Sequence, residues 1–409
     1  MSDAANPIAP VPRVSIQAFC EQDSTHEILS KAGADRRMSR AHFKTFMGGV
    51  AGAMAAYQAA PTPNLIVIES SVPRDELVAE LDRLAEICDE GTKVIAIGRV
   101  NDIVLYRELM ARGVSEYLVH PFDATDFIRI VSNLYAQPSQ RLVGRVIAVT
   151  GAKGGVGAST IAHNLAWTMA RTLEQPTILV DMDMPFGTAG LDFNQDPPQG
   201  VADAVFAKDR LDLNFVERVL TRCTDHLSIM AAPAMLDRNY DIHEDAFEPV
   251  IEVLRGAAPY IVLDLPHGWD GWKRNALVSA DEVIVVAGPD LANLRNCKNL
   301  FDHMRGARPN DLFPRFVMNG VGMPKRPEIP AGDFAKALDL DPVAAIAHDA
   351  KLFGAAANNG QMLGELDPSA KANEVFAELT RLVTGRAEIR AQSRGLFSPM
   401  VKRFKGAFA

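Results

Sequence analysis

Cysteine, tryptophan and long apolar runs are scarce in this sequence, and each shortage closes off a class of protein. Among 409 residues there are four cysteines, Cys20, Cys88, Cys223 and Cys297, scattered with no CxxC pair. That spacing argues against structural zinc and against a disulfide framework, so the four are expected as small core residues. No apolar stretch approaches the roughly 20 residues that a membrane-spanning helix needs. The opening MSDAANPIAPVP has no basic region followed by an apolar one, so no export signal is expected and a cytosolic location follows. Surplus positive charge is also lacking. The formal net charge of −9 disfavours generic DNA binding. The deficit is uneven, because from Arg386 onward six basic residues accompany one acidic residue, a balance of +5, and the rest of the chain carries −14.

What is present is ample apolar material, 48% of the residues, in a chain with room for two domains. Residues 1–12 are rich in proline and alanine and are expected to be disordered. Residues 13–137 alternate apolar segments, VSIQAF, NLIVIES, KVIAIGR and SEYLVHP, with stretches around 25–31, 43–57, 74–87 and 104–112 that are expected to be helical. A polar, proline-containing linker at 138–144 separates this pattern from a second one over 145–385. There, strands are expected at 146–149, 177–181, 227–231, 260–264, 282–287, 315–319 and 344–347, with helices between most of them. Alternation of this kind specifies the α/β class, here two doubly wound domains, each a parallel sheet covered on both faces. Residues 386–409 form a basic tail. Within it Phe397, Met400, Val401, Phe404 and Phe408 fall at helical spacing among Lys402, Arg403 and Lys405, an amphipathic helix suited to a membrane surface or a partner protein.

Ligands of doubly wound sheets bind beyond the carboxyl ends of the strands, and three strand ends in the second domain carry chemistry. The first is RVIAVTGAKGGVGAST, in which an apolar strand enters a glycine-dense loop that turns at once into a helix. Backbone N–H groups and the positive end of the helix dipole make such a loop an anion site. The second is ILVDMDMPFG, in which Asp181 and Asp183 flank a single residue at a strand terminus, and alternation is expected to put both on the same side of the chain. The third is YIVLDLPHG, which delivers Asp264 to the same edge. Amides for phosphate oxygens, the Ser159 hydroxyl for a metal, and carboxylates that hold metal-bound water are the parts needed by a nucleoside triphosphate with Mg2+. Trp269 and Trp272 follow Asp264 closely, and either core packing or contact with a second copy would account for them.

The segment KGGVGAST, with DMD and LDLP downstream, resembles the deviant P-loop ATPases of the MinD/ParA group. The resemblance implies ATP and Mg2+ as ligands, held by Lys153, Gly154, Gly155, Val156, Gly157, Ala158, Ser159 and Thr160, with Asn319 in FVMNGVG near the base. It implies that Lys153 reaches across an ATP-sandwich homodimer and that Asp183 orients the hydrolytic water, these two being the catalytic residues, while Ser159, Asp181 and Asp264 serve the metal. Two positions depart from the pattern: Ala152 replaces the first motif glycine and Ala158 replaces the P-loop lysine, so slow hydrolysis or none is expected.

The first domain resembles the receiver domains of response regulators, but Glu69 stands in the place of the phosphoacceptor aspartate and His120 in the place of the lysine, so phosphotransfer is not expected. Glu21 and Asp23 fall near the receiver's metal position and are expected in a solvated loop. Together with Ala158, and with the segments at 265–296 and 355–376, these features make the chain similar to the CpaE/TadZ family of Tad (Flp, type IVc) pilus assembly. That resemblance implies an ATP-binding, dimerising localisation scaffold, at most a weak ATPase, which works with other pilus assembly proteins at a cell pole; the basic tail, similar in kind to the membrane-targeting tail of MinD, is expected either to touch the inner membrane or to dock on protein. The alternative is a ParA-like partitioning ATPase acting on DNA cargo.

Overall fold

The computed structural model describes residues 7–58, 60–89, 91–136, 143–207, 210–236 and 240–385. The basic tail and most of the linker lie outside the described residues. The chain divides into two compact units.

The first unit is built on five parallel strands, β1 (Ser15–Cys20), β2 (His42–Met47), β3 (Leu65–Glu69), β4 (Lys93–Gly98) and β5 (Glu116–Val119), in the order β2-β1-β3-β4-β5. They alternate with helices α1 (Asp23–Gly33), α2 (Gly49–Tyr57), α3 (Arg74–Ala85), α4 (Ile103–Ala111) and α5 (Ala124–Tyr135), the flavodoxin-like winding. The central strand β3 is apolar on both faces because helices cover both: Leu65 and Val67 enter one core, Ile66 and Ile68 the other. One expectation fails here. Residues 43–47 were expected to be helical and instead form β2, paired in register with β1 from Ser15↔His42 to Cys20↔Met47. Phe43, Phe46, Met47, Val50 and Met54 do recur at helical spacing, but Gly48 and Gly49 take φ of 116° and 54°. These left-handed conformations, open to glycine, end the strand and start the helix later.

Glu69, at the carboxyl end of β3, is 3% exposed and fully engaged. Its Oε2 accepts the N–H groups of Glu21 and Gln22 at 2.7 and 3.0 Å, and its Oε1 accepts the Thr25 hydroxyl at 2.6 Å. The carboxylate thus occupies the amino end of α1, where N–H groups lack helical partners and negative charge is favoured. His120 closes the same cluster, with Nε2 3.2 Å from Thr25 Oγ1. Glu21, expected in a solvated loop, is tied to Ser71, accepting from both its N–H and its hydroxyl at 2.9 and 2.6 Å.

The second unit is an eight-stranded sheet in the order β13-β12-β11-β6-β10-β7-β9-β8. Its strands are β6 (Arg145–Gly151), β7 (Thr177–Asp181), β8 (Thr221–Arg222), β9 (Leu227–Met230), β10 (Tyr260–Leu265), β11 (Glu282–Ala287), β12 (Arg315–Val321) and β13 (Ala344–Ala347). All neighbours are parallel except β8, a two-residue strand antiparallel to β9 that carried no sequence signal. Seven of the eight lie where the apolar runs place them. The central strand β6 is buried along its whole length, with Val146 and Ala148 in one core and Ile147 and Val149 in the other. Helix α6 (Ala158–Leu173) packs on the sheet directly after the loop, and a short helix α7 (Ala189–Asp192) follows β7. Of the cysteines, Cys20 and Cys297 are buried and Cys88 and Cys223 half-buried, all free. Burial pushes the thiols of Cys20, Cys223 and Cys297 up to about 12, which leaves them inert.

Replacing Glu69 by Ala removes the acceptor of the buried Thr25 hydroxyl and of the part-buried N–H groups of Glu21 and Gln22, at about 1–3 kcal/mol for a donor left unsatisfied. Calorimetric unfolding of the full chain is expected to show the transition of the first unit shifted down, with that of the second unchanged. Glu69→Asp, one methylene short of the same partners, is expected to be intermediate and to acquire no phosphate from acetyl phosphate by intact mass.

Candidate functional site

The sheet register assembles the site. Val149 of β6 lies opposite Asp264 of β10, and Asp264 lies opposite Asp181 of β7. The glycine loop and both aspartates therefore reach one edge at one level. The loop, residues 152–157, leaves β6 and enters α6 through Gly157, whose φ of 83° is left-handed. A Cβ there would stand 2.6 Å from Asn319 Nδ2, so this is a position only glycine fills. Side-chain amides pin the loop from two sides: Asn296 Nδ2 donates to Ala152 O and Asn319 Nδ2 donates to Val156 O, each at 2.8 Å.

Two clefts open on this loop, of about 1080 and 350 Å³. Lys153, Gly154, Gly155, Val156, Gly157 and Thr160 line both. Ala158, Ser159 and Asp183 face the larger one and Asn319 the smaller one. Lys153 is half exposed, its Nζ 3.8 Å from Asp290 Oδ2. Ala158 packs its methyl against the core beneath α6, so the start of the helix sends no cation toward the loop.

The carboxylates divide into floor and wall. Asp181 is fully buried, and its oxygens accept the N–H groups of Asp183 and Ala189 at 3.1 and 3.0 Å. Strand β7 ends at Asp181, so the chain turns before Asp183 and the two side chains part company: Asp181 lies beneath the cleft and Asp183 on its wall. The expectation that alternation would keep them together holds only while a strand continues. Burial, and then the nearby Asp264, raise the Asp181 carboxyl above its ordinary range. Asp183 is also raised by burial, against a hydrogen bond from Phe186 N–H and the positive charge of Lys273. Among the described residues no three His, Cys, Asp or Glu side chains converge as a ready-made metal cage.

Asp264 has a partner that the sequence reading missed. His163 on α6 is fully buried, with Nε2 3.2 Å from Asp264 Oδ2 and Nδ1 2.7 Å from Asp192 Oδ2. Burial alone would lower the imidazole pKa, but hydrogen bonds to Asp192 and Asp264, with their charges, push it up to about 10. The ring is thus imidazolium at neutral pH, with both nitrogens donating. Asp264 Oδ1 is buried and has no hydrogen-bond partner. One signal for His163 was available: it follows Ser159 by four residues, one turn on the same helix face. Lys273 was also missed. It lies on the helix Gly271–Ser279, lines the larger cleft and holds Asp270 Oδ2 at 2.6 Å. The two tryptophans differ in fate: Trp272 is buried against Phe247, while Trp269 is 52% exposed and edge-on to His303.

A glycine loop between a buried parallel strand and a helix, with aspartates at the two neighbouring strand ends, defines a P-loop NTPase fold of the MinD/ParA type. A family model described as "AAA domain" matches residues 144–309. The septum site-determining protein MinD of Bacillus subtilis is 24% identical over 283 residues, 64% of this chain and 99% of its own. The MinD structure from Pyrococcus horikoshii complexed with Mg-ADP shares the fold, with a TM-score of 0.53, 21% identity, and coverage of 61% of this chain and 99% of its own. The pilus assembly protein CpaE of Caulobacter crescentus is 47% identical over the whole of its solved chain, which spans 32% of this one with a TM-score of 0.31. On that identity the chain belongs to the CpaE family, with a MinD/ParA-type ATPase fold.

The His163 contacts carry a stability prediction with a definite sign. A histidine raised above its unfolded value of about 6.5 stabilises fully below that pH and loses its contribution as pH climbs through the folded value, here about 10. All three tryptophans, Trp167, Trp269 and Trp272, lie in the second unit, so their fluorescence follows its unfolding selectively. Urea midpoints measured this way are expected to fall between pH 7 and 10 in the wild type. In His163→Ala stability is expected to be lower by about 3–5 kcal/mol at neutral pH for an uncompensated buried carboxylate, with the deficit narrowing toward pH 10 and the midpoints flatter over that range.

Proposed function

We propose that this chain is an ATP- and Mg2+-binding, dimerising scaffold of a Tad (Flp, type IVc) pilus assembly system that hydrolyses ATP slowly or not at all. The observation that carries the reading is Ala158. Its partly buried methyl packs against the core at the start of α6, where a P-loop enzyme places its phosphate-binding lysine. The loop that remains still offers N–H groups at the start of a 16-residue helix. Because the two clefts share that loop, a nucleotide fits with its base toward Asn319 and its phosphates toward Ser159 and Asp183.

A magnesium ion suits the remaining donors. Ser159 supplies a hydroxyl, and the unpaired Oδ1 of Asp264 is a buried acceptor in want of a donor, as a metal-bound water would provide. When bound, the ion neutralises phosphate charge. In this reading Asp181 shapes the turn behind it, and Asp183, which lines the cleft wall, orients water. Lys153, half exposed and only loosely held by Asp290, is free to swing toward a second copy. Family membership supports the pilus assembly role, and the −14 charge outside the tail speaks against DNA cargo. In this reading the receiver-like unit, its chemistry closed by Glu69, docks a partner, and the basic tail, residues 386–409, supplies contact with the inner membrane at a pole.

Purified protein is expected to bind ATP yet show turnover within background in a phosphate-release assay, and to gain mass to a dimer with ATP in light scattering. Lys153→Ala is expected to abolish the ATP-dependent dimer while retaining nucleotide. Rapid steady-state turnover that depends on Lys153 would count against this reading.

A further inference from the structure

The absence of a lysine at Ala158 leaves the larger cleft short of positive charge, and Lys273 stands on its wall. Its side chain is 10% exposed, yet its ionic partner, Asp270, 2.6 Å away, is 59% exposed. An exposed carboxylate and a ring face 5.4 Å away compensate a sequestered ammonium only in part, because neither matches a buried anion. An ammonium also has three donors to place. The charge reaches the reacting side of the cleft, since it is felt at Asp183.

The backbone around Lys273 makes room for it. Its Nζ lies where a Cβ on Gly268 would be 2.4 Å away, and Gly268 has a φ of 149°. The preceding residue is set against the glycine loop: His267 Nδ1 is 3.2 Å from Gly151 O, and a Cβ on Gly154 would meet the His267 ring at 3.8 Å. The chain after β10 therefore runs along the loop and carries the ammonium with it, from the side opposite α6.

We propose that Lys273 is the phosphate-binding cation of this site, supplied within the same chain from the helix after β10 in place of the one lacking at Ala158. It rests on the reading that the loop binds a nucleoside di- or triphosphate. Asp270 holds the ammonium at the cleft wall, and the β-phosphate takes it over on binding. Because the cation comes from the helix after β10 rather than from α6, phosphate occupancy is reported directly to the segment bearing Trp269 and Trp272.

Calorimetric titration of the full chain with ADP and with AMP, both with Mg2+, tests this. A charge-assisted hydrogen bond contributes about 1.5–3 kcal/mol, so Lys273→Met is expected to weaken ADP binding by about 10- to 100-fold. AMP binding and the urea midpoint by tryptophan fluorescence are expected to hold, and Lys273→Arg to stay near wild type. Adding Ala158→Lys to Lys273→Met is expected to recover at least a tenfold gain in ADP affinity. Wild-type ADP affinity in Lys273→Met overturns the proposal. So does an equal loss for ADP and AMP that Ala158→Lys does not repair, which would make Lys273 a structural residue. A wild type that binds neither nucleotide instead removes the nucleotide reading itself.

Discussion

The imidazolium of His163, closed between Asp192 and Asp264, is the contact on which the geometry of the second unit's site depends. It ties three elements that chain connectivity alone leaves independent: the helix that follows the glycine loop, the strand that ends in Asp264, and α7 after β7. Two buried carboxylates, Asp181 and Asp264, sit at matching levels on neighbouring strands, and their mutual repulsion would open that edge without a cation between the sheet and α6. A histidine suits this task because it donates from both nitrogens in a fixed plane. The arrangement holds the floor of the cleft in place before any ligand arrives.

With the floor charge settled internally, the walls of the cleft are left to handle phosphate. Here the chain is sparing. The start of α6 contributes amides and no side-chain cation, and the two lysines that face the cleft come from elsewhere, Lys153 on a half-exposed loop and Lys273 from the segment after β10. Lys153 stands 3.8 Å from the half-exposed Asp290 and Lys273 is held by the more exposed Asp270, so each pairing is weak enough to exchange for a better anion. A site whose cations are held by aspartates on its walls, above a buried carboxylate floor, favours binding coupled to rearrangement over fast bond cleavage, which needs its charges preorganised. The first unit presents the same theme in a finished form, since Glu69 satisfies internally the donors that surround the phosphoacceptor position of a receiver.

Much of this was legible in the sequence, and the reasons for the exceptions are physical. Parallel strands buried on both faces announce themselves as continuous apolar runs, which is why seven of the eight strands of the second unit stood out, and why the loop and three aspartates could be named. Edge strands carry no such mark. His42–Met47 pairs on one side only, with half or more of its residues exposed, and its aromatic spacing imitates a helix; pairing with β1 overrode that local pattern. Asp181 and Asp183 were assigned one side by alternation, but the strand ended between them. His163 and Lys273 escaped because a histidine inside an apolar helix and a lysine near a tryptophan pair are unremarkable until the register brings Asp264 and Asp183 beside them. Long-range pairing, which no local window contains, accounts for β2 and His163, whereas the Asp181–Asp183 miss comes from where a strand stops.

The most direct test of the account is a crystal structure of the full chain grown with Mg2+ and a non-hydrolysable ATP analogue. The account places the phosphates on the amides of residues 154–159, the base against Asn319, Asp264 still hydrogen-bonded to His163, and the freed Oδ1 turned toward metal-bound water. Nucleotide bound away from the loop, or a loop that accepts phosphate only after the His163–Asp264 contact breaks and the floor rearranges, would contradict it.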